Sequence, residues 1–245
     1  MTQDLSGPRA PRLEEMTVLA AGRRLAVRRL GPRQPDPRQP DIYPGADGGN
    51  AAPTLVFLHE GLGSIAQWRD FPDALCRRTG LPGLVYERWG FGGSEPLELP
   101  RPRDYLTQEA ELFLPAVLEA CGVQRPLLIG HSDGGSIALL YAAAFPERPL
   151  ACITEAAHVF VEAAALAGIR AAAEAWRRGD LKARLAKYHG AKTEAVFLGW
   201  AETVDSELKC NAPVEGDFDV DAELPQERLG RGLEAEAFAR CEVVH

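Results

Sequence analysis

Four short runs of apolar residues mark the middle of the chain: Thr54–His59, Leu84–Glu87, Leu127–Gly130 and Leu150–Thr154. Each has the length of a strand, and none alternates apolar with polar positions. Such runs predict strands covered on both faces. Between them, apolar residues recur at helical spacing. Ser64–Arg78 predicts a helix with Ile65, Trp68 and Leu75 on its buried side and Pro72 as a point of division. Tyr105–Cys121 predicts a helix closed by Gly122 and kinked at Pro115. Gly134–Phe145 predicts an apolar helix stopped by Pro146. Strands alternating with helices predict an α/β fold, a mostly parallel sheet with helices on both faces. Upstream, Met16–Ala20 and Leu25–Leu30 flank Ala21-Gly22, the signature of a hairpin. Gly31 to Pro53 is dense in Pro, Asp and Gly and predicts a long surface loop.

After Thr154 the alternation stops. Val161–Arg177, Asp180–Tyr188 and Thr193–Val204 predict three helices in succession, an inserted helical cap. Beyond Cys210 the chain is acidic and Pro-dotted, with one further helix predicted over Leu233–Arg240 and a short strand over Glu242–Val244. The expected organisation is therefore a tail, hairpin and loop over 1–53, an α/β core over 54–155, a helical cap over 156–208 and an atypical C-terminal segment over 209–245.

Composition narrows the function classes. The chain has 245 residues, 46% hydrophobic and 25% charged, which excludes wholesale disorder and coiled coil. A net charge of −8 repels phosphate backbones and argues against a nucleic-acid partner. No run of about 20 apolar residues predicts a membrane span, and Met1 to Arg12 lacks the apolar core of a signal peptide. The five cysteines, Cys76, Cys121, Cys152, Cys210 and Cys241, are scattered without a C-x-x-C pair. They predict free thiols in a reducing cytoplasm. The excess of Arg over Lys and the abundance of Ala point to a GC-rich, bacterial coding bias. No cofactor or metal is expected; the expected partner is a small-molecule substrate.

The chemistry concentrates at Leu127-Leu128-Ile129-Gly130-His131-Ser132-Asp133-Gly134-Gly135-Ser136, which contains G-x-S-x-G between a predicted strand and a predicted helix. That context is what the motif requires: a tight turn lifts the serine hydroxyl above the sheet, and the helix N-terminus favours developing negative charge there. Earlier, Thr54–His59 runs into Glu60-Gly61-Leu62-Gly63-Ser64, a turn able to offer backbone N–H groups to an oxyanion. Gly61 or Leu62 would be one donor and Asp133 the other. A third glycine-rich turn, Tyr86-Glu87-Arg88-Trp89-Gly90-Phe91-Gly92-Gly93-Ser94, predicts a structural loop in which Arg88 bonds backbone carbonyls.

These three markers, in this order, resemble the α/β-hydrolase superfamily. The strings HEGLGSIAQWRDFP, YERWGFGGSEP, GHSDGGSIALLYAAAFPE and EAAHVFVE are similar to a capped bacterial subfamily of small-molecule hydrolases. The resemblance implies Ser132 as nucleophile, Gly61 and Asp133 as oxyanion-hole residues, with Asp133 acting through its backbone, and 161–204 as a substrate-shaping cap. It implies cleavage of a small ester, lactone, amide or activated C–C bond.

The C-terminal part departs from the family pattern. The family places an acid after a late strand and a histidine near the end, and the last strands of the sheet are not recognisable here. His245 is the best match in order for the base, and Asp217 for the acid; Glu155, at the end of the fourth strand, is the alternative acid. His59 and His131 are expected to pack, His158 to line the cavity by structure or substrate contact, and His189 to be exposed in the cap. Trp176, Tyr188, Phe197 and Trp200 serve either an apolar substrate or the packing of the cap. An incomplete acid–base pair predicts a weak or inactive hydrolase with an exposed sheet edge. The competing reading is a non-catalytic binding module or frameshifted product. The discriminating feature is an imidazole within reach of Ser132.

Overall fold

The computed structural model describes residues 13–31, 52–158, 163–210 and 241–244. β1 (Leu13–Ala20) and β2 (Arg23–Leu30) form an antiparallel hairpin. Its two-residue turn has positive φ at both positions, 48° at Ala21 and 76° at Gly22, a geometry that matches the twist of the paired strands. β3 (Thr54–Leu58), β4 (Gly83–Tyr86), β5 (Pro126–His131) and β6 (Ala151–Glu155) follow, and β7 (Cys241–Val244) comes last. The seven strands form one sheet in the order β1-β2-β4-β3-β5-β6-β7. The ladders from β4 to β7 are parallel, and β2 joins β4 antiparallel.

The uninterrupted apolar runs of β3, β4 and β5 are explained by burial on both faces, whereas in β6 Ile153 and Glu155 are exposed on one face. Along β3, Leu55 and Phe57 pack with Leu30, Val85, Ile129, Ile65 and Cys76 on one side. Val56 and Leu58 pack on the other, with Leu84, Leu128, Leu114, Ile137 and Tyr141. The helix α1 (Phe71–Thr79) covers the first face. The second is covered by α2 (Tyr105–Gln108), α3 (Leu114–Ala120) and α4 (Asp133–Ala144).

Three expectations are revised. The segment Ser64–Arg78 is not one helix: a 3-10 turn over Ile65–Trp68 ends at Arg69, whose φ is 54°, and α1 restarts after it with Pro72 in its first turn. Proline is at ease there because its missing N–H would have no helical partner. The segment Tyr105–Cys121 carries a π-helical stretch, Glu109–Phe113, between α2 and α3, so Pro115 falls in the first turn of α3. Finally, the β6 edge is not bare. β7 pairs with it in parallel from Cys152↔Cys241 to Glu155↔Val244, and it is the short strand expected over Glu242–Val244, one residue longer.

α5 (Ala163–Arg178), α6 (Leu181–His189) and α7 (Thr193–Cys210) follow β6, as the loss of alternation predicts. Leu181, Leu185 and Phe197 form their shared core, against which Trp176, Trp200 and Leu62 pack. Trp176 and Phe197 stack with ring centroids 4.1 Å apart, so these two aromatic side chains pack the helices themselves. Tyr188 is exposed. Cys76 and Cys121 are buried free thiols, Cys152 is buried, and no described helix is long and apolar enough to cross a membrane. The predicted helix over Leu233–Arg240 lies outside the described residues.

Candidate active site

Ser132 joins β5 to α4 at φ 53° and ψ −118°, a left-handed conformation that costs a non-glycine residue about 1–3 kcal/mol. The surroundings over-determine it. Its N–H donates to the Glu155 carbonyl at 2.8 Å, and its own carbonyl accepts from the Ser136 N–H at 3.1 Å. The flanking glycines answer to close backbone approach. A Cβ at Gly134 would lie 1.9 Å from the Leu58 carbonyl oxygen, and one at Gly130 would lie 2.3 Å from the Gly134 oxygen. The first turn of α4 is thereby pressed against the C-terminal end of β3, where the Gly61–Leu62 turn begins. The α4 N-terminus adds a partial positive charge at Ser132.

His158 is the imidazole that the structure brings to this serine. Its Nε2 lies 3.4 Å from Ser132 Oγ. The backbone of His158 is stapled by one hydroxyl: Ser136 Oγ donates to the His158 carbonyl at 2.8 Å and accepts from its N–H at 3.0 Å. The chain reaches this point after a positive φ of 51° at Ala156, and Ala157 seats itself over Gly135, where a Cβ would stand 2.9 Å from the Ala157 Cβ. Sequence reasoning placed His158 in the cavity but put it behind His245 as a base. The signal it passed over is the second glycine and the serine of Gly134-Gly135-Ser136. His245 and Asp217 lie outside the described residues. Glu155 ends β6 with an exposed side chain, and its contact with Ser132 runs through its backbone carbonyl.

The remaining described histidines are otherwise committed. His59 is buried, its Nε2 accepting from the Arg88 N–H at 3.2 Å and its Nδ1–H donating to the Glu60 carbonyl at 2.8 Å. Burial, and then the neighbouring Arg88 charge, hold its pKa well below the ordinary value, so it is neutral. His131 Nδ1 stands 3.8 Å from Glu60 Oε2. The nearby Glu60 carboxylate raises the His131 pKa despite partial burial. Burial favours protonated Glu60, but the neighbouring His131 and a backbone hydrogen bond outweigh it and lower its pKa.

His189 corrects the expectation of exposure: it is 2% exposed. Its Nδ1 accepts from the Gly92 N–H at 3.1 Å, and its Nε2–H donates to the Leu62 carbonyl at 3.0 Å. A single imidazole thus ties α6 to two of the glycine-rich turns. Burial lowers its pKa, consistent with a neutral ring that both donates and accepts. From α7, the Trp200 indole sits against Gly61, where an added Cβ would meet Nε1 at 2.3 Å.

Beneath Ser132 lies a buried polar cluster. Arg88 bonds a backbone carbonyl as expected, Nη2 donating to Glu60 O at 2.6 Å, and it also pairs through Nη1 with Asp133 Oδ2 at 3.2 Å. The Tyr105 hydroxyl donates to the same carboxylate oxygen at 2.8 Å. Burial opposes the Arg88 charge, but Asp133 and Glu109 more than restore it, and its pKa is raised. Among the described residues, no group of three His, Cys, Asp or Glu side chains could hold a metal ion.

The comparisons with known proteins agree with this architecture. The profile of the alpha/beta hydrolase fold family matches residues 53–235. Over 97 residues the chain is 38% identical to RutD of Pseudomonas savastanoi pv. phaseolicola, whose name proposes carbamate hydrolysis; the match covers 39% of this chain and 35% of that protein. Over 101 residues it is 32% identical to the sn-1-specific diacylglycerol lipase ABHD11 of Mus musculus, covering 41% of this chain and 31% of the lipase. The matched segments therefore span about a third of these curated relatives. A crystal structure of a bacterial membrane phospholipase A superposes with a TM-score of 0.57 at 21% identity, covering 81% of this chain and 63% of that one, which is a likeness of fold. With most of its length under the family profile, the chain belongs to the alpha/beta hydrolase fold family.

Proposed function

We propose that this protein is a serine hydrolase of small acyl compounds, with Ser132 as nucleophile. The observation that carries the reading is a serine held at φ 53° at the head of a helix, its hydroxyl 3.4 Å from an imidazole nitrogen. A serine hydroxyl is a poor nucleophile until a base takes its proton. In this mechanism His158 Nε2 accepts that proton as Oγ attacks the carbonyl carbon. The oxyanion is held by the N–H of Asp133 and an N–H of the Gly61–Leu62 turn. The imidazolium then protonates the leaving group, and water releases the acyl group by the reverse sequence. Of the bond classes expected from the sequence, ester, lactone and amide are favoured over C–C, because carbamate and diacylglycerol, named for two relatives, are both acyl compounds.

The segment 156–208 serves as the cap of this site. Support comes from His189 on the Leu62 carbonyl and Trp200 on Gly61, which set α6 and α7 against the turn that supplies an oxyanion donor. Among the described residues, no carboxylate bonds the second ring nitrogen of His158, and Ser136 Oγ holds its backbone. The buried free thiols of Cys76 and Cys121 suit a reducing cytoplasm.

The test is hydrolysis of an activated aryl ester by the purified chain. Ser132→Ala and His158→Ala are expected to fall to background, with His245→Ala unchanged. Full turnover in Ser132→Ala would overturn the reading. Loss in His245→Ala with retention in His158→Ala would move the base to His245, with Asp217 as the acid to examine.

A further inference from the structure

We infer that Arg88 is a positioning residue that holds the two oxyanion donors in register, Gly61 through the Glu60 carbonyl and Asp133 through its carboxylate. The inference rests on the proposed role of Ser132. A trans peptide carries its carbonyl oxygen and its N–H on opposite sides of one plane, so whatever fixes the Glu60 oxygen fixes the direction of the Gly61 N–H. Three donors converge on that oxygen: Arg88 Nη2 at 2.6 Å, His59 Nδ1 at 2.8 Å and the Gly63 N–H at 3.0 Å. Donors on one side of a peptide polarise it and strengthen the N–H on the other. The Leu62 N–H belongs to the next peptide, which these contacts do not hold, so Gly61 is the clamped donor.

The other arm of the same guanidinium fixes the second donor. Arg88 Nη1 pairs with Asp133 Oδ2 at 3.2 Å, and the Tyr105 hydroxyl locks that oxygen at 2.8 Å. Asp133 is the first residue of α4, and its N–H follows Ser132 directly. The guanidinium is planar and rigid, so the separation of its two nitrogens sets the relation between the two peptides. Arg88 itself is fixed: its side chain is 2% exposed, its backbone N–H is bonded to His59, and its charge stacks 4.7 Å over the Phe91 ring. A lysine presents all its donors from one nitrogen and cannot reproduce the spacing of the two guanidinium nitrogens.

The experiment uses the full chain and phenylboronic acid, which forms a tetrahedral anion on an activated serine, beside aryl-ester kinetics. For Arg88→Lys, kcat and boronate affinity are both expected to fall about ten- to hundredfold, the cost of misplacing groups by a fraction of an ångström to an ångström. KM should stay within about twofold, because the neutral substrate does not draw on the oxyanion donors. Asp133→Asn keeps an acceptor but loses the charge, and should lose about three- to tenfold in the same two quantities. If Arg88→Lys fails to fold, Asp133→Asn decides. A folded variant with wild-type kcat and boronate affinity, or with kcat and KM changed alike, overturns the role of Arg88. Absence of boronate binding and of fluorophosphonate labelling in the wild type overturns the Ser132 reading itself. Labelling of the wild type at Ser132 with no effect of either variant overturns Arg88 alone.

Discussion

Gly134 and Gly168 provide opposite outcomes for the same substitution in one chain. Both sit within helices, α4 and α5, where replacing Gly by Ala gains about 0.5–1 kcal/mol of helix propensity. At Gly168 an added Cβ meets nothing within 4 Å, so Gly168→Ala should stabilise by that amount. At Gly134 the Cβ would lie 1.9 Å from the Leu58 carbonyl oxygen, 2.4 Å from its carbon and 2.9 Å from the His59 oxygen. Those atoms are backbone of a central strand, paired on both sides by β4 and β5. Relief requires moving α4 off β3 by more than an ångström. Overpacking costs about 1–3 kcal/mol where side chains can yield, and more where only backbone can. Subtracting the propensity gain leaves a net loss of at least about 2 kcal/mol for Gly134→Ala. Urea unfolding reads both: midpoints should move in opposite directions at constant slope. Because the shift also separates Ser132 from the Gly61 turn, reaction with a fluorophosphonate should slow in Gly134→Ala and not in Gly168→Ala. A Gly134→Ala protein with wild-type stability would refute the close packing of α4 on β3.

Glu109 is buried, and burial pushes its carboxyl from an ordinary 4.5 up to about 7 against the pull of Arg88 and Arg101. A raised carboxyl pKa contributes stability below pH 4.5 that is lost as pH rises through about 7, up to about 3 kcal/mol. Glu109→Gln should therefore flatten the decline in unfolding free energy between pH 5 and pH 8; an identical decline in the variant would sink the assignment. Phe197, stacked on Trp176, is 3% exposed, and its truncation to Ala should cost about 3–5 kcal/mol within the helical segment. Hydrogen exchange should speed up in α5, α6 and α7 while β3 and β5 amides stay protected; equal loss everywhere would show that these helices are not a separate layer.

The centre of the sheet was legible because both faces of β3, β4 and β5 are covered, whereas β6 leaves Ile153 exposed on one face. Thr54–His59, Leu84–Glu87, Leu127–Gly130 and Leu150–Thr154 each read as an apolar run, and each falls within a residue of β3, β4, β5 or β6 at most positions. The Ser132 turn was legible because its flanking glycines answer to local backbone crowding. What was not legible depends on distant partners. His189 has nothing in its own helix to mark it as buried; its ligands are Gly92 and Leu62, about a hundred positions away. Arg88 reads as a loop cation until α4 brings Asp133 to it, 45 positions on. His158 was ranked low because the family pattern puts the base late in the chain, whereas the staple through Ser136 is a tertiary contact. The break at Arg69 and the π-helical stretch before Pro115 are local departures that apolar periodicity does not register.

The central claim is that Ser132 is an activated nucleophile. Incubation of the full chain with a fluorophosphonate, followed by intact mass and peptide mapping, tests it without knowledge of substrate. The account predicts one adduct per chain, on the peptide that carries Ser132, absent from Ser132→Ala and slowed in His158→Ala. A folded wild-type chain that takes up no probe, or takes it up equally in Ser132→Ala, would contradict it.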